Sequence, residues 1–437
     1  MNTSLDLLSA AGAFLALGGL GAAQDGPSMA LVNDMLREVS QARLTESVRA
    51  LQDFETRYTF SPGNTDAGDW LYDAFRSLGL EVERHAFTWG TQSEENVVAR
   101  IRGVSRPGEL VLVSGHFDST SETPGVLAPG ADDDASAIAG VLEAARILKD
   151  YHFQRTVEFV CYNAEEQGRR GSIAIARDYQ AAGRDIVAVV NSDMIGYWPS
   201  GWERDLDVAY EPVSEWLADH VLSVVHRYVG IPAAKHLSGM CRDDHVSFTA
   251  RGIPAVSTMD CWDAHNGGSE TTPHYHRTTD TLDTLNLECM TQVVQVNLAA
   301  VAELAGPIGR AFMPYCTATP NSTGEAARIT ARGSARISLN DLTLVAQPVP
   351  DEPFVFFLGP NQVELPFGDG LLCVGGGLTR LLPPRVASDY VATRVLDLPS
   401  LGITLRVSHN FQCWFRDPAA GGAMFNTSDG LSIAFLP

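Results

Sequence analysis

Three apolar runs each lead into acidic or imidazole side chains, and this recurrence limits the fold more than any other feature of the 437-residue sequence. Leu110–Ser114 runs into Gly115-His116-Phe117-Asp118, Val157–Cys161 leads to Glu165-Glu166, and Ile186–Val190 runs into Asn191-Ser192-Asp193. Short continuous apolar runs suit strands buried on both faces, as in a parallel sheet covered by helices. Ligands of such sheets bind beyond the carboxyl ends of the strands, where these side chains would converge. Asp132-Asp133-Asp134 opens a one-sided helical pattern over 135–149, with apolar residues at 138, 141, 142, 145 and 148. It can face the same crevice.

The rest of the chain extends this pattern. Helical periodicity runs from Ser28 to Leu80 in two amphipathic stretches broken at Ser61-Pro62-Gly63-Asn64. Further helices are expected over Val213–Tyr228 and Leu285–Leu304, the latter stopped by Gly306-Pro307. Alternating strands and helices predict an α/β unit with a mostly parallel, mixed sheet sandwiched by helices. The pattern changes after about Pro307, Pro314 to Gly324 is polar and linker-like, and beyond it the period drops to two, at Ile337/Leu339, Ile403/Leu405/Val407, Phe411/Cys413/Phe415 and Leu431/Ile433/Phe435. This predicts an all-β, sandwich-like C-terminal domain. The expected boundaries are 28–310 for the α/β unit, 311–327 for a linker and 328–437 for the β domain.

A hydrophobic fraction of 45% and a charged fraction of 19% leave ample core and exclude extended disorder. The net charge of −22 argues against nucleic-acid binding and against anionic membranes. Only Lys149 and Lys235 are available for lysine chemistry. Residues 1–23 contain the apolar stretch Leu7–Ala23 ending in Gly-Ala-Ala, which reads as a secretory signal even though Met1–Asp6 lacks a basic residue. A secreted, periplasmic or cell-surface protein is therefore expected, with no membrane span elsewhere. The seven cysteines show no zinc-ribbon spacing. Cys373 and Cys413 are candidates for pairing, Cys241 and Cys261 weaker ones, and Cys161 reads as a buried thiol. The sequence leaves the oligomeric state open.

No nucleophile elbow, phosphate-binding loop or H-E-x-x-H motif occurs. So many converging carboxylates are costly unless a cation neutralises them. Two divalent ions would balance Asp133, Glu166, Asp193 and one further anion, with His116 and His276 as neutral donors. Nitrogen and oxygen ligands without thiolate suit zinc, with manganese or cobalt as substitutes. Taken singly, an Asp-Asp-Asp is usually a helix cap, a Glu-Glu pair a solvated surface and a lone His structural. Their order at strand ends gives the set its weight.

Five segments together resemble the co-catalytic di-zinc aminopeptidase family: Gly115-His116-Phe117-Asp118-Ser119, Ala128-Pro129-Gly130-Ala131-Asp132-Asp133-Asp134-Ala135-Ser136, Asn163-Ala164-Glu165-Glu166-Gln167-Gly168, Ser192-Asp193-Met194 and His276-Arg277-Thr278-Thr279-Asp280-Thr281. That family includes secreted bacterial leucyl aminopeptidases and, more distantly, glutamate carboxypeptidases and glutaminyl cyclases. The resemblance covers roughly residues 30–305. It implies Asp133 as the carboxylate bridging two zinc ions, His116 and Asp193 completing one site, and Glu166 and His276 the other. It implies Glu165 as the base that activates a water between the metals, and Asp118 as the carboxylate that orients His116. A cis peptide after the bridging Asp, here Asp133–Asp134, is also implied. The implied activity is hydrolysis of the N-terminal peptide bond of peptides.

Two stretches depart from the family. Ser238 to His245 carries a single cysteine where some relatives have a short disulfide loop, and the chain between Met259 and His276 looks longer. Met240, Met259, Trp262 and Tyr275 are possible pocket walls, or core. The β domain resembles modules appended to exported bacterial proteins, without a metal or nucleophile cluster. Alternatives on the same fold are a carboxypeptidase, for which only Arg242 and Arg277 lie near the motifs, a glutaminyl cyclase, and a non-catalytic receptor-like binding protein. The last would usually have lost ligands that this chain keeps.

Overall fold

The computed structural model describes residues 27–198, 206–239, 242–259, 272–403 and 407–436. The expected signal segment lies outside them, as do Met240, Cys241, Cys261 and Trp262. Eight strands form the main sheet, in the order Glu81–Trp89, Gln92–Ile101, Arg155–Tyr162, Arg106–His116, Asp185–Ser192, Ala255–Met259, Leu206–Tyr210 and Ala233–Leu237. The four central strands are mutually parallel, and the 81–101 hairpin adds antiparallel strands at one edge. Alternate residues face opposite ways along each strand. Val111, Val113, Phe159 and Val190 pack with Ile138, Val294 and Leu298 of the helices Ala137–Leu148 and Leu287–Ala305. Leu110, Leu112, Val160 and Val189 pack with Ile175, Tyr179 and Phe248 on the other side. Helices on both faces of a mixed sheet are the architecture expected from the sequence.

Local chemistry explains where these elements start and stop. Ser61 caps the helix Pro62–Ser77, its hydroxyl accepting the Asn64 N–H at 3.1 Å, with Pro62 in the first turn. The expected break at 61–64 is thus a helix start. A further helix boundary falls at Ser40, which caps Gln41–Gln52 after Pro27–Arg37. Gly306, at φ 72°, ends the helix Leu287–Ala305. Pro307–Arg310 then pairs with Tyr151–Phe153.

The C-terminal region is strand-rich. Phe312–Tyr315, Phe425–Ala434, Ser408–Arg416 and Pro353–Gly359 form one sheet, with short strands at its edge. Arg328–Arg332, Thr343–Gln347 and Ala392–Val395 form another. Their facing side chains, including Ile329, Leu344, Phe356, Phe411, Phe415 and Ile433, make a second core. Several expectations need correction. Ile337 and Leu339 lie in a turn, and Ile403 and Val407 lie outside strands. Part of the expected linker is an edge strand, because Phe312–Tyr315 pairs with Phe425–Ala434. Cys373 pairs with Cys316, while Cys413 stays a buried thiol. The reason is strand alternation: Cys413 points into the core, whereas its neighbour Gln412 faces the hairpin that carries Cys373. Cys161 is buried and free, as expected. Among the described residues no helix is long and apolar enough to cross a membrane.

Candidate metal centre

His116 ends its strand and Asp193 follows directly on Ser192, so both project from the carboxyl edge of the sheet. Glu165 and Glu166 lie in the turn after Arg155–Tyr162. Asp133 lies in the tight turn Ala131–Ser136 that leads into the helix Ala137–Leu148. That turn requires Gly130, which has φ +52°; a Cβ there would sit 2.4 Å from the Asp133 carbonyl oxygen. The Asp133–Asp134 peptide is cis.

These side chains meet in one crevice. Asp133 Oδ1 lies 3.2 Å from His116 Nε2, and its Oδ2 lies 3.3 Å from His276 Nε2. His276 Nε2 is also 3.1 Å from Glu166 Oε2, and His116 Nε2 is 3.7 Å from Asp193 Oδ1. Donor atoms of Asp133, Glu166 and His276 fall within 4.8 Å of one another, as do those of His116, Asp134 and Asp193. Asp134 is already engaged, however. Its Oδ2 accepts the His116 N–H at 3.0 Å and its Oδ1 the Met194 N–H at 3.2 Å. Asp133, with one oxygen toward each histidine, is the better candidate for a shared ligand. Glu166 Oε1 is buried without a hydrogen bond, a donor left for a cation. The His116 side chain is 1% exposed and that of Glu166 3%, against 37% for His276, so the crevice opens beside His276. Tyr275 stacks on the His276 ring at 3.7 Å. Met259 is buried, and Arg242 and Arg277 are exposed.

Electrostatics describe an acidic site that resists holding its own charge. Burial pushes Glu165 and Asp134 well above the carboxylate range, Glu166 to about 8, and raises Asp193. Burial disfavours charge on the histidines too, yet contacts with Asp118, Asp133 and Asp193 hold His116 well above the usual imidazole value. Contacts with Asp133 and Glu166 likewise hold His276 at about 10. Without a metal the site must store protons; divalent cations would replace them. Asp118 touches His116 Nδ1 through its backbone carbonyl at 3.1 Å and its carboxylate at 3.5 Å. The same carboxylate accepts the N–H groups of Glu165 at 3.0 Å and Glu166 at 3.2 Å.

Other residues in the arrangement had no expected role. Arg57 is fully buried and donates to the carbonyls of Leu51, Phe117, Pro129 and Gly130. Burial lowers its pKa to about 10, against the pull of Asp280 and Asp118. Asp280 accepts the backbone N–H groups of Asp132 and Asp133. Asn163, just before the Glu165 turn, exchanges side-chain hydrogen bonds with Asn64. Asp244, raised to about 7 chiefly by burial, extends the acidic cluster from the Ser238–His245 stretch.

Residues 96–301 match the family model described as peptidase family M28. A leucine aminopeptidase 1 from Coccidioides posadasii is 31% identical over 292 residues, covering 62% of this chain and 73% of that relative. The chain belongs to peptidase family M28. Solved structures share its fold. LapB from Legionella pneumophila superposes with a TM-score of 0.58 at 26% identity, covering 64% of this chain and 76% of that one. A zinc aminopeptidase from Bacillus subtilis gives 0.54 at 15% identity, covering 61% and 96%.

Proposed function

We propose that this M28 peptidase is an aminopeptidase that holds two zinc ions and removes the first residue of peptides. The observation that carries the reading is the Asp133 carboxylate, whose two oxygens address His116 and His276 separately. His116 and Asp193 would hold one ion, Glu166 and His276 the other, and Asp133 both. Bound divalent cations supply Lewis acidity toward a carbonyl and lower the pKa of water.

The remaining work falls to the chain. Glu165 takes a proton from the attacking water and delivers it to the leaving amine. Asp118 fixes the His116 ring and, through the Glu165 and Glu166 N–H groups, the turn that carries the base. The carboxylates of the crevice attract a protonated substrate N-terminus, which favours removal of the terminal residue.

Export and a catalytic unit spanning 28–310 followed by an accessory β domain are part of this reading. They rest on the leader-like residues 1–23 and on the separate apolar cores. The deciding experiment compares hydrolysis of free and N-acetylated dipeptides alongside metal content. Cleavage of the free peptide alone, abolished by chelation and restored by zinc, is expected. Cleavage of the acetylated peptide at a similar rate would overturn the aminopeptidase assignment, and full activity in metal-free protein would overturn the metal assignment.

A further inference from the structure

The outer face of the C-terminal sheet holds a second concave site, which shares no lining residue with the acidic crevice. A cavity of about 530 Å³ is lined by Val355, Phe357, Phe367, Leu372, Leu378, Arg380, Trp414 and Phe425. Strand alternation explains its apolar walls. Phe354, Phe356, Phe411 and Phe415 fill the core between the sheets, so Val355, Phe357 and Trp414 point the other way. The hairpin formed by Asn361–Phe367 and Gly370–Gly375 lies over this face without filling it.

One wall of the cavity, the strand Gly370–Gly375, is tied to the sheet. The Gln412 amide donates to the Leu371 and Ser428 carbonyls and its oxygen accepts the Cys373 N–H. The Cys316–Cys373 disulfide and the Thr427 hydroxyl, which donates to the Leu371 carbonyl, tie the same strand down. Phe425 packs against the Phe367 ring at 5.1 Å and the Trp414 ring at 5.7 Å. A preformed, aromatic-lined space of this size falls in the usual range for small-molecule sites, roughly 300–1,000 Å³.

One charge stands at this space. Arg380 is the direct antiparallel partner of Phe357, so its side chain lies on the cavity face. Its side chain is exposed and makes no ion pair or hydrogen bond among the described residues. An unpaired guanidinium beside seven apolar walls, in a chain of net charge −22, complements an apolar body bearing one anionic group. The planar guanidinium fork can pair bidentately with a carboxylate. We propose that the C-terminal β domain binds a small amphipathic carboxylate in this cavity, with the apolar body against Phe357 and Trp414 and the carboxylate on Arg380.

The test uses the full chain, with decanoate and decanol as probes and Trp fluorescence and calorimetry as readouts. Decanoate should bind saturably at one site, about tenfold or more tighter than decanol, the scale of one charge-assisted contact. Arg380→Gln should abolish the difference while leaving decanol binding intact, which also reports that the cavity is folded. Leu372→Trp should fill the cavity and weaken both probes. Absence of saturable decanoate binding, equal binding of the two probes by the unmodified protein, or a preference for decanoate that survives Arg380→Gln would each overturn the proposal.

Discussion

The Asp280 carboxylate holds the backbone of Asp133, accepting its N–H at 3.1 Å with one oxygen and that of Asp132 at 2.9 Å with the other. The loop that carries His276 thereby orients the carboxylate that His276 faces. Asp280→Ala leaves two buried N–H groups without an acceptor, at a cost of about 1–3 kcal/mol each. Zinc affinity is expected to fall by about 10–100-fold, the usual effect of losing such support. Asp280→Asn should fall between, because one acceptor remains. Denaturant titration and zinc titration check both effects; a folded Ala variant with unchanged zinc affinity would remove Asp280 from the site.

Glu165 and Glu166 are adjacent and chemically identical, yet their environments differ. Glu166 Oε2 faces His276 at 3.1 Å, so Glu166→Gln should weaken one metal site. Glu165→Gln keeps the shape and should retain both metals, while turnover falls by about 10²–10⁴-fold for want of a proton acceptor. Metal stoichiometry and kcat measured side by side distinguish the two roles. Loss of a zinc in the Glu165 variant would mean that they are misassigned.

The parts of the site that could be read from the sequence are those whose chemistry is carried by their own strands. His116, Glu166 and Asp193 follow apolar runs, and a run buried on two faces leaves little ambiguity about its direction. The 81–101 hairpin gave no such signal. Its charged side chains pair across the strands, as Arg100 does with Glu81 at 3.0 Å and Glu83 at 2.7 Å, and the mixture looks like loop or helix surface. Arg57 was invisible for another reason: its acceptors are backbone carbonyls, which carry no side-chain signature. Asp280 stands inside the segment His276–Thr281, but its role depends on a backbone 147 residues away. The pairing of Cys373 with Cys316 depends on which face of a strand each neighbour occupies, and composition does not record that.

His152 gives a pH dependence away from the metal centre. Burial holds its pKa below the usual imidazole value, and its Nε2 faces the Ala434 carbonyl at 3.1 Å. As pH falls, the unfolded chain binds the proton first, so the stabilisation is complete above about pH 6.5 and is lost below it. Relative to His152→Gln, the parent protein should lose stability as the pH falls below about 6.5. Parallel stability profiles for the two proteins would contradict this.

A chain ending after Arg310 is expected to keep activity on small peptides. Every proposed site residue precedes that point, and the pairing of Pro307–Arg310 with Tyr151–Phe153 is retained. Removal of the β domain uncovers the surface around Gly79, which packs closely on Gly333, so some loss of solubility or stability should accompany it. A folded but inactive truncation would show that the β domain shapes the active cleft.

Arg57 joins carbonyls from the end of one helix, the turn after the His116 strand and the loop before Asp133. None of these segments can detach without stranding a guanidinium and its acceptors out of water. Local opening is therefore suppressed in favour of concerted unfolding. In hydrogen exchange, the buried amides of Phe117, Ser119 and Ala131 should open together, at a free energy close to that of the whole α/β unit. The site would then have no partly assembled state in which to bind a metal incompletely.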